Sequence, residues 1–239
     1  QGFTDGPVAR FSNPTDVAVT AWHSVYVSDV GNKAIRKISL PDRVTTTVAG
    51  TGGSGPLDGT GVMARVNPTA VQASADGEYV WFTDSVSLSE ASVRVVAVAS
   101  DIVTTVYSNT SVLLSPTSFL VRDTPPVRTA FVVCTAQHKI VKFSAGTATA
   151  SRSLTFGGPR FGNGLDFSWT AGSGLDAAYD GTREQASFRA PTAARVDPLT
   201  GDLVVADGAA HTVRRVASPT GRVNTFAGSG NQASTSGLR

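Results

Sequence analysis

Hydrophobic positions along the chain fall in short runs separated by turn residues. Runs such as SVYVSD at 24–29 and DLVVAD at 202–207 are rich in β-branched and small apolar residues, and Gly, Pro, Asp, Asn or Ser bounds them. Such runs are typical of strands joined by tight turns. The spacing of about 3.6 residues that marks an amphipathic helix does not recur over a useful length. The pattern therefore predicts an all-β chain with many short strands.

The strand pattern repeats four times in the same order. Each unit opens with a Pro-Thr pair, then has a strand ending in Asp or Cys, a strand with Arg or Lys, and a closing Thr-rich run. An Asp-Gly pair precedes the Pro-Thr pair in three of the four units. A repeat of this kind buries its faces by stacking on its neighbours. The Pro-Thr prolines are Pro14, Pro68, Pro116 and Pro191, and the closing runs are 44–52, 102–109, 150–158 and 222–230.

Four antiparallel strands in a unit of about 45–50 residues are typical of a propeller blade. We therefore predict one domain, 1–239, made of four blades. The small apolar first strands are expected near the axis, and the cationic third strands near a solvated face. The predicted blades are 2–54, 55–109, 110–158 and 176–230, and the third-strand cations are Arg36, Lys37, Arg94, Lys142, Arg214 and Arg215.

The first unit resembles the NHL repeat in the segments ARFSNPTDVAV at 9–19, AIRKI at 34–38 and VTTTVAGTG at 44–52. The resemblance covers nearly the whole chain and is weakest in the third unit, where Cys134 replaces the strand-ending Asp. NHL domains are β-propellers, usually with six blades. The resemblance therefore implies an NHL-like propeller that either closes with four blades or forms part of a larger propeller completed by further blades.

Composition and charge exclude several classes of protein. Only 16% of residues are charged, against roughly 25% in an average chain, which argues against a highly charged disordered chain. No apolar run is long enough to predict a membrane-spanning helix. The 18 acidic residues nearly balance the 20 basic ones, so nucleic-acid binding is not expected. RNA binding through the third-strand arginines stays open as a second alternative, because some NHL propellers bind single-stranded RNA.

One long segment, 157–181, interrupts the repeats and is predicted as an insertion between the third and fourth units. It is rich in glycine but carries aromatic residues, and long loops of this kind are often functional. We predict an interaction loop here, with the alternative that its aromatic side chains pack on a neighbouring blade. The candidate residues are Arg160, Phe161, Phe167, Trp169 and Tyr179.

The chemistry-bearing residues favour structural roles. His23, His138 and His211 are interpreted as turn residues that do not converge on a metal. The repeated carboxylates that end the second strands are interpreted as turn staples rather than a calcium or acid–base site. We predict no catalytic residue, no metal and no cofactor. A metal-dependent propeller enzyme of lyase or hydrolase type is the first alternative. The repeated carboxylates are Asp29, Asp84 and Asp207.

These observations predict a non-catalytic module that binds or scaffolds a protein or glycan partner. The sequon Asn109-Thr110-Ser111 makes Asn109 a candidate glycosylation site. The sequon and the low lysine content favour an extracellular or secretory-pathway location. The chain begins at Gln1 rather than Met, which is expected of a processed chain or a piece of a longer protein.

Overall fold

A computed structural model describes residues 2–20, 24–53, 55–74, 77–87, 90–108, 113, 115–124, 127–145 and 165–232. Within them the chain forms four antiparallel sheets, one for each repeat unit. In every sheet the four main strands lie side by side in chain order, and two sheets add a two-residue outer strand. We call the sheets blades 1 to 4.

The strands are numbered in chain order. Blade 1 contains β1 (Pro14–Val19), β2 (Ser24–Asp29), β3 (Ala34–Ser39) and β4 (Thr45–Ala49). Blade 2 contains β5 (Gly59–Thr60), β6 (Pro68–Ala73), β7 (Tyr79–Ser87), β8 (Glu90–Ala97) and β9 (Ile102–Ser108). Blade 3 contains β10 (Pro116–Thr124), β11 (Val127–Cys134), β12 (Lys139–Ala145) and β13 (Leu165–Ala171). Blade 4 contains β14 (Gly181–Thr182), β15 (Pro191–Val196), β16 (Leu203–Asp207), β17 (Thr212–Val216) and β18 (Arg222–Ala227).

The Pro-Thr pair opens the innermost strand of each blade. The proline pairs with the last residue before the turn on the second strand, as Pro14 does with Asp29, and the register then shifts by one residue. The same shift follows the proline in the other three blades. The innermost strands pack in series, β1 on β6, β6 on β10 and β10 on β15. The four blades are therefore arranged around a common axis.

The hydrophobic core lies between the blades. We call the face of a blade on the side of the next blade along the chain its forward face, and the opposite face its rear face. The forward face of blade 1, with Tyr26 and Ile35, packs on the rear face of blade 2, with Val71 and Phe82. The forward face of blade 2 packs in the same way on blade 3, and that of blade 3 on blade 4. Because a blade covers its apolar faces only by this stacking, the repeats depend on one another for stability.

Short 3₁₀ turns connect the second and third strands in three blades. They are Val30–Asn32, Thr135–Gln137 and Gly208–Ala210, and each ends at a residue with a left-handed backbone. Two further 3₁₀ turns, Gly61–Met63 and Arg183–Gln185, precede the innermost strands of blades 2 and 4. In blade 2 the second and third strands instead extend into a longer hairpin, β7–β8.

The outer strand of blade 3 differs from the prediction. We expected 150–158 to close the third unit, but these residues lie outside the described residues, and β13 forms the fourth strand. Thr170 of β13 pairs with Val141 of β12, so blade 3 extends beyond the predicted boundary at 158. The sequence WTAGSG at 169–174 matches TFAGSG at 225–230, which is the closing run of blade 4. The closing run was therefore present but displaced along the chain.

The insertion lies inside blade 3 rather than between blades 3 and 4. It connects β12 to β13 and comprises 146–164, not 157–181. The last part of the predicted insertion belongs to the connection that leads to Asp180 and Gly181, and these two residues match the Asp-Gly pairs of blades 1 and 2.

Candidate functional site

The repeated carboxylates lie in buried ion pairs on the rear faces of three blades. Asp29 and Arg36 are both fully buried, and Arg36 Nη1 lies 3.0 Å from Asp29 Oδ2. Arg94 pairs with Asp84 in the same way, and Arg214 Nη1 lies 3.5 Å from Asp207 Oδ2. We call each pair, together with the carboxylate of the preceding Asp-Gly turn, an Arg–Asp staple.

The second carboxylate of each staple is half-exposed. Arg36 Nη2 donates to Asp5 Oδ1 at 2.7 Å, and the same arginine donates to the main-chain oxygens of Thr4 and Arg10. Asp5 in turn accepts from the main-chain N–H and the hydroxyl of Thr47, on the outer strand β4. The arginine therefore ties the incoming chain, the second strand and the outer strand into one network. Equivalent contacts join Arg94 to Asp58 and Arg214 to Asp180.

The buried carboxylates also hold the turn before the first strand. Asp29 Oδ1 accepts from the N–H of Ser12, Asp84 Oδ1 from that of Asn67, and Asp207 Oδ1 from that of Ala190. Backbone N–H donors in such a turn would otherwise lack partners. The structure thus places Asp29, Asp84 and Asp207 in contacts with turn amides of their own blades.

The staples impose different electrostatic environments on their carboxylates. Burial raises the pKa of Asp84, and this effect outweighs the opposing influence of the Arg94 guanidinium. Burial would also raise the pKa of Asp180, but hydrogen bonds from Thr225 and Arg214 outweigh it, and the pKa is lowered. Ionised Asp180 is therefore stabilised by the fold.

The third-strand arginines correct one prediction. We expected these cations near a solvated face, but Arg36, Arg94 and Arg214 have no exposed surface. Each guanidinium also lies over an aromatic ring, 5.0 Å from Phe3 for Arg36 and 5.5 Å from Phe188 for Arg214. These three arginines are consequently not available to an RNA ligand. The neighbouring positions Lys37, Lys142 and Arg215 are partly exposed.

Blade 3 has replaced the whole staple. Cys134 occupies the position of the buried Asp, and Val141 that of the buried Arg, and both are fully buried in the core between blades 2 and 3. Removing one partner of a buried ion pair is costly, whereas replacing both by apolar groups can be neutral or stabilising. The two replacements together are therefore physically consistent. The thiol of Cys134 is buried within this core.

Blade 3 also has longer strands and connections at one end of the propeller. At this end, β10 and β11 continue to Thr124 paired with Val127, and β12 and β13 to Ala145 paired with Leu165. The β12–β13 connection comprises 146–164, whereas the corresponding connections of the other blades are 40–44, 98–101 and 217–221. We call the β10–β11 hairpin end and the β12–β13 connection the blade 3 tip.

The structure describes only part of the predicted interaction loop. Arg160 and Phe161 lie outside the described residues, within the blade 3 tip connection. Phe167 and Trp169 are on β13, opposite Phe143 and Lys142. Tyr179 is 67% exposed and lies in the connection to blade 4, at the opposite end of the sheet from the tip. Its main-chain oxygen accepts from Arg214, so its backbone belongs to the staple of blade 4.

Two of the three histidines occupy equivalent positions in their repeats. His138 and His211 are equivalent, because each ends the 3₁₀ turn after the second strand. His138 Nδ1 lies 2.6 Å from the main-chain oxygen of Arg189 in the next blade, and His211 is exposed. His23 and the sequon residue Asn109 lie outside the described residues.

Among the residues that the structure describes, no group of three or more His, Cys, Asp or Glu is arranged to hold a metal ion. Within those same ranges, no helix has the length and hydropathy needed to cross a membrane.

Comparison with solved structures finds propellers at low sequence identity. Virginiamycin B lyase from Staphylococcus aureus matches with a TM-score of 0.55 and 12% identity, over 92% of this chain and 57% of the lyase. A protein from Lactobacillus plantarum gives 0.55 and 12%, over 92% of this chain and 57% of that protein. An auxiliary nutrient binding protein from Bacteroides ovatus gives 0.51 and 14%, over 95% of this chain and 61% of that protein.

This chain therefore spans about three fifths of the length of the solved structures that it matches. No protein-family model matches the sequence, and no curated protein matches it either. The four serially packed sheets and these structural neighbours together identify the fold as an all-β propeller.

Proposed function

We propose that this chain is a non-catalytic propeller module that binds or scaffolds a protein or glycan partner, with the blade 3 tip as its binding surface. The proposal places the module outside the cell or in the secretory pathway. It rests on one observation above all: the blade 3 tip departs from an otherwise regular repeat.

The regularity of the other blades supports the tip as the functional part. Blades 1, 2 and 4 join their third and fourth strands with at most five residues, whereas blade 3 uses the nineteen residues from 146 to 164. A repeat needs no such length to fold, because its neighbours fold without it. Binding residues in scaffold proteins are concentrated on loops of this kind, carried by rigid sheets.

The uses of the repeated ionisable residues also favour binding over catalysis. Catalytic carboxylates must reach a substrate, and the second-strand carboxylates instead contact a buried arginine and turn amides. The carboxylates that recur in the repeats are therefore already engaged in contacts that hold each blade together. An interaction surface needs only exposed side chains carried by a rigid core.

The structural neighbours are compatible with two classes of function. One neighbour is a nutrient binding protein, and another is a lyase. At these identities their functions do not transfer to this chain. A metal-dependent enzyme of lyase type remains the first alternative to binding, and RNA binding remains the second.

The proposal is tested by shortening the two parts of the tip separately. In one variant a short Gly-Ser linker replaces 146–164, and in the other Asn-Gly replaces 123–128, because Arg122 and Thr129 pair directly. The purified variants and the unaltered chain are applied to a printed array of oligosaccharides and purified ectodomains. We expect the unaltered chain to bind at least one probe, and both variants to lose that binding.

A matched control shortens the hairpin of blade 2 at the opposite end. Ser85 and Ala91 pair there, so Asn-Gly replaces 86–90 and leaves the tip unchanged. This control variant should retain binding. The proposal fails if the unaltered chain binds no probe, or if the control and the tip variants lose binding equally. Calcium or zinc retained by the purified chain in elemental analysis, together with turnover of an added substrate, would favour the enzyme alternative.

A further inference from the structure

The junction between blades 3 and 4 carries a group of cationic and polar side chains at the end opposite the blade 3 tip. The 3₁₀ turn after β11 ends at His138, and Lys139 begins β12 directly after it. The connection from β13 to blade 4 folds back over this turn, because Gly172 and Gly174 lie against the backbone and the side chain of Lys139. Arg189, just before β15, contacts the same turn from blade 4. We call His138, Lys139 and Arg189 the junction cluster.

Lys139 occupies a position that holds a small residue in the other blades. Its ammonium group makes no hydrogen bond or ion pair with any residue that the structure describes, and the side chain is partly exposed. The side chain lies along Gly174, where an added Cβ would be 3.0 Å from Cε and 3.5 Å from Nζ. A cation here is therefore not required by the repeat and is available to an anionic ligand. The equivalent residues, which also pair with the last residue of the second strand, are Ala34, Ser92 and Thr212.

Arg189 supplies a second cationic side chain that an anion can reach. Its Nε lies 3.5 Å from Asp176 Oδ1, and the two side chains are 50% and 68% exposed. An exposed ion pair of this length contributes little to stability, so a ligand can displace it at small cost. The terminal nitrogens of the guanidinium can then donate to a carboxylate or sulfate in the two-pronged geometry that arginine favours.

The ring of His138 is oriented by a contact across the junction. Its Nδ1 lies 2.6 Å from the main-chain oxygen of Arg189. Because a carbonyl oxygen only accepts hydrogen bonds, Nδ1 carries the hydrogen. In the neutral ring Nε2 is then an acceptor, and it suits the hydroxyl of a ligand held by the neighbouring cations.

Tyr179 adds an exposed aromatic ring to the same connection. The side chain is largely exposed, but its backbone is held, because its N–H donates to the hydroxyl of Ser187 and its oxygen accepts from the Ser187 N–H. The ring is a rigid apolar surface with a polar hydroxyl, which suits the C–H face of a sugar ring. Asp176 and Asp180 flank Tyr179 in the sequence, and their negative charge disfavours the closely spaced phosphates of a nucleic acid.

From these features we propose that the junction cluster, together with Tyr179, binds an acidic sugar. Lys139 and Arg189 hold its carboxylate or sulfate group through charge-assisted hydrogen bonds. His138 accepts from a hydroxyl group, and the ring of Tyr179 packs on the sugar ring. All of these residues belong to blades 3 and 4 of this chain. The site lies at the opposite end of the propeller from the blade 3 tip, so it does not rest on the function proposed for the tip.

Isothermal titration calorimetry with defined oligosaccharides tests this proposal. The probes are a chondroitin sulfate hexasaccharide, a hyaluronan hexasaccharide, which carries carboxylates alone, and an uncharged chitin hexasaccharide. We expect one or both acidic probes to bind, with an affinity that falls as salt is added, and the uncharged probe not to bind. The two acidic probes distinguish sulfate from carboxylate recognition. Lys139→Ala and Arg189→Ala should each lower the affinity by about tenfold, because each removes a charge-assisted hydrogen bond.

Arg65→Ala provides the matched control. Arg65 is exposed and also lies just before the innermost strand of its blade, but in blade 2, so this variant loses the same charge and should bind like the unaltered chain. Tyr179→Phe should retain binding and Tyr179→Ala should weaken it, because packing on a sugar needs the ring and not the hydroxyl. Lys139→Ala introduces the residue type of Ala34 and should still fold, which circular dichroism verifies.

Three results would overturn the proposal. The first is that neither acidic probe binds, or that the uncharged probe binds equally well. The second is that Arg65→Ala weakens binding as much as Lys139→Ala does, which would show a response to net charge alone. The third is tighter binding of a single-stranded oligonucleotide than of both acidic probes, which would favour RNA. Replacing 146–164 by a Gly-Ser linker should leave the affinity for the acidic probe unchanged, and its loss would place the binding at the tip instead.

Discussion

At the residue scale, the repeat is organised by a buried charge network rather than by apolar residues alone. Arg36 makes four hydrogen bonds with its two terminal guanidinium nitrogens, to Arg10, Asp29, Thr4 and Asp5. Asp5 also accepts from the hydroxyl of Thr47, so the network joins three parts of blade 1. Such a network fixes the angle at which the chain enters the blade. One hydrogen-bond network thus includes the Asp of the Asp-Gly pair, the strand-ending Asp and the Thr of the closing run.

Breaking one staple should be more damaging than replacing it. In blade 2, Arg94→Val leaves Asp84 buried without its partner, which we expect to lower the free energy of unfolding by about 3–5 kcal/mol. Adding Asp84→Cys copies the pair found in blade 3 and should recover part of that loss. Urea unfolding of both single variants and the double variant measures the coupling.

An exposed arginine supplies the control for this cycle. Arg222→Val changes an exposed residue at the start of β18 and should lower the free energy of unfolding far less than Arg94→Val. Strictly additive losses for Asp84→Cys and Arg94→Val would show that the two side chains do not act as a pair.

The staple of blade 4 should make stability depend on acid pH. Hydrogen bonds lower the pKa of Asp180 in the folded chain, although burial opposes them. Its contribution is therefore complete above the ordinary carboxyl pKa of about 3.9 and is lost as the pH falls through the lower folded value. Asp180→Asn should flatten this part of the curve when urea unfolding is measured across that pH range.

The pKa of Asp84 is shifted in the opposite direction to that of Asp180. The staples of blades 2 and 4 should therefore respond differently to pH. Because burial raises the pKa of Asp84, the protonated form is favoured in the fold, and its contribution is lost as the pH rises through the folded value. Asp84→Asn should therefore remove a decline in stability on the alkaline side of the ordinary carboxyl range. Identical pH profiles for the Asp180 and Asp84 variants would contradict these assignments.

The repeated carboxylates were visible in the sequence because they recur in register, but their partners were not. Arginine on a strand is ordinarily exposed, and nothing in the run AIRKI distinguishes the buried Arg36 from the partly exposed Lys37 except the alternation of faces. The link between Asp5 and Thr47 spans forty-two positions and depends on how the blade closes. Long-range pairing of this kind could not be read from local pattern.

At the element scale, the position of the outer strand β13 determines where the insertion in blade 3 ends. Ala171 of β13 is fully buried in the core between blades 3 and 4. Gly172, which follows it, has a positive φ, and an added Cβ there would lie 2.3 Å from the oxygen of His138. The end of β13 is therefore fitted closely against the turn that precedes β12.

Deletions on the two sides of β13 should have different effects. Removing 160–175 eliminates β13, exposes the core around Ala171 and should lower the melting temperature strongly or prevent folding. Removing 148–162, which leaves every described strand intact, should change the melting temperature little. Thermal unfolding followed by circular dichroism distinguishes the two, and equal tolerance of both deletions would show that β13 does not contribute to the blade.

The elements of the regular blades were predictable because strand runs and turns follow one another at fixed intervals. In the third unit the outer strand could not be located from the period, because the closing run begins after a long segment. A Thr-containing run at 150–158 stands at the expected position instead. The match between 169–174 and 225–230 was the available signal. Periodicity locates a strand only when no insertion interrupts the period.

At the scale of the whole molecule, the four blades share one strand arrangement but carry two kinds of exposed surface. The blade 3 tip is an irregular end on a regular repeat, whereas the outer faces of blades 1 and 4 repeat the packing surfaces found within the chain. The stacking of sheets followed from the repeats, since a single unit cannot cover both of its faces. The packing order of the innermost strands could not be predicted from the sequence. The exposure of the outer faces of blades 1 and 4 was likewise visible only in the structure.

Each repeat unit forms a four-stranded blade, and these blades stack in chain order. Inter-strand nuclear Overhauser effects measured on the isotopically labelled chain report this arrangement. We expect contacts between Val141 and Thr170, which place β13 at the outer edge of blade 3, and contacts between β10 and β15, which place blades 3 and 4 side by side. Contacts that pair Lys139–Ala145 with 150–158 instead, or that join strands of non-consecutive units, would contradict the account.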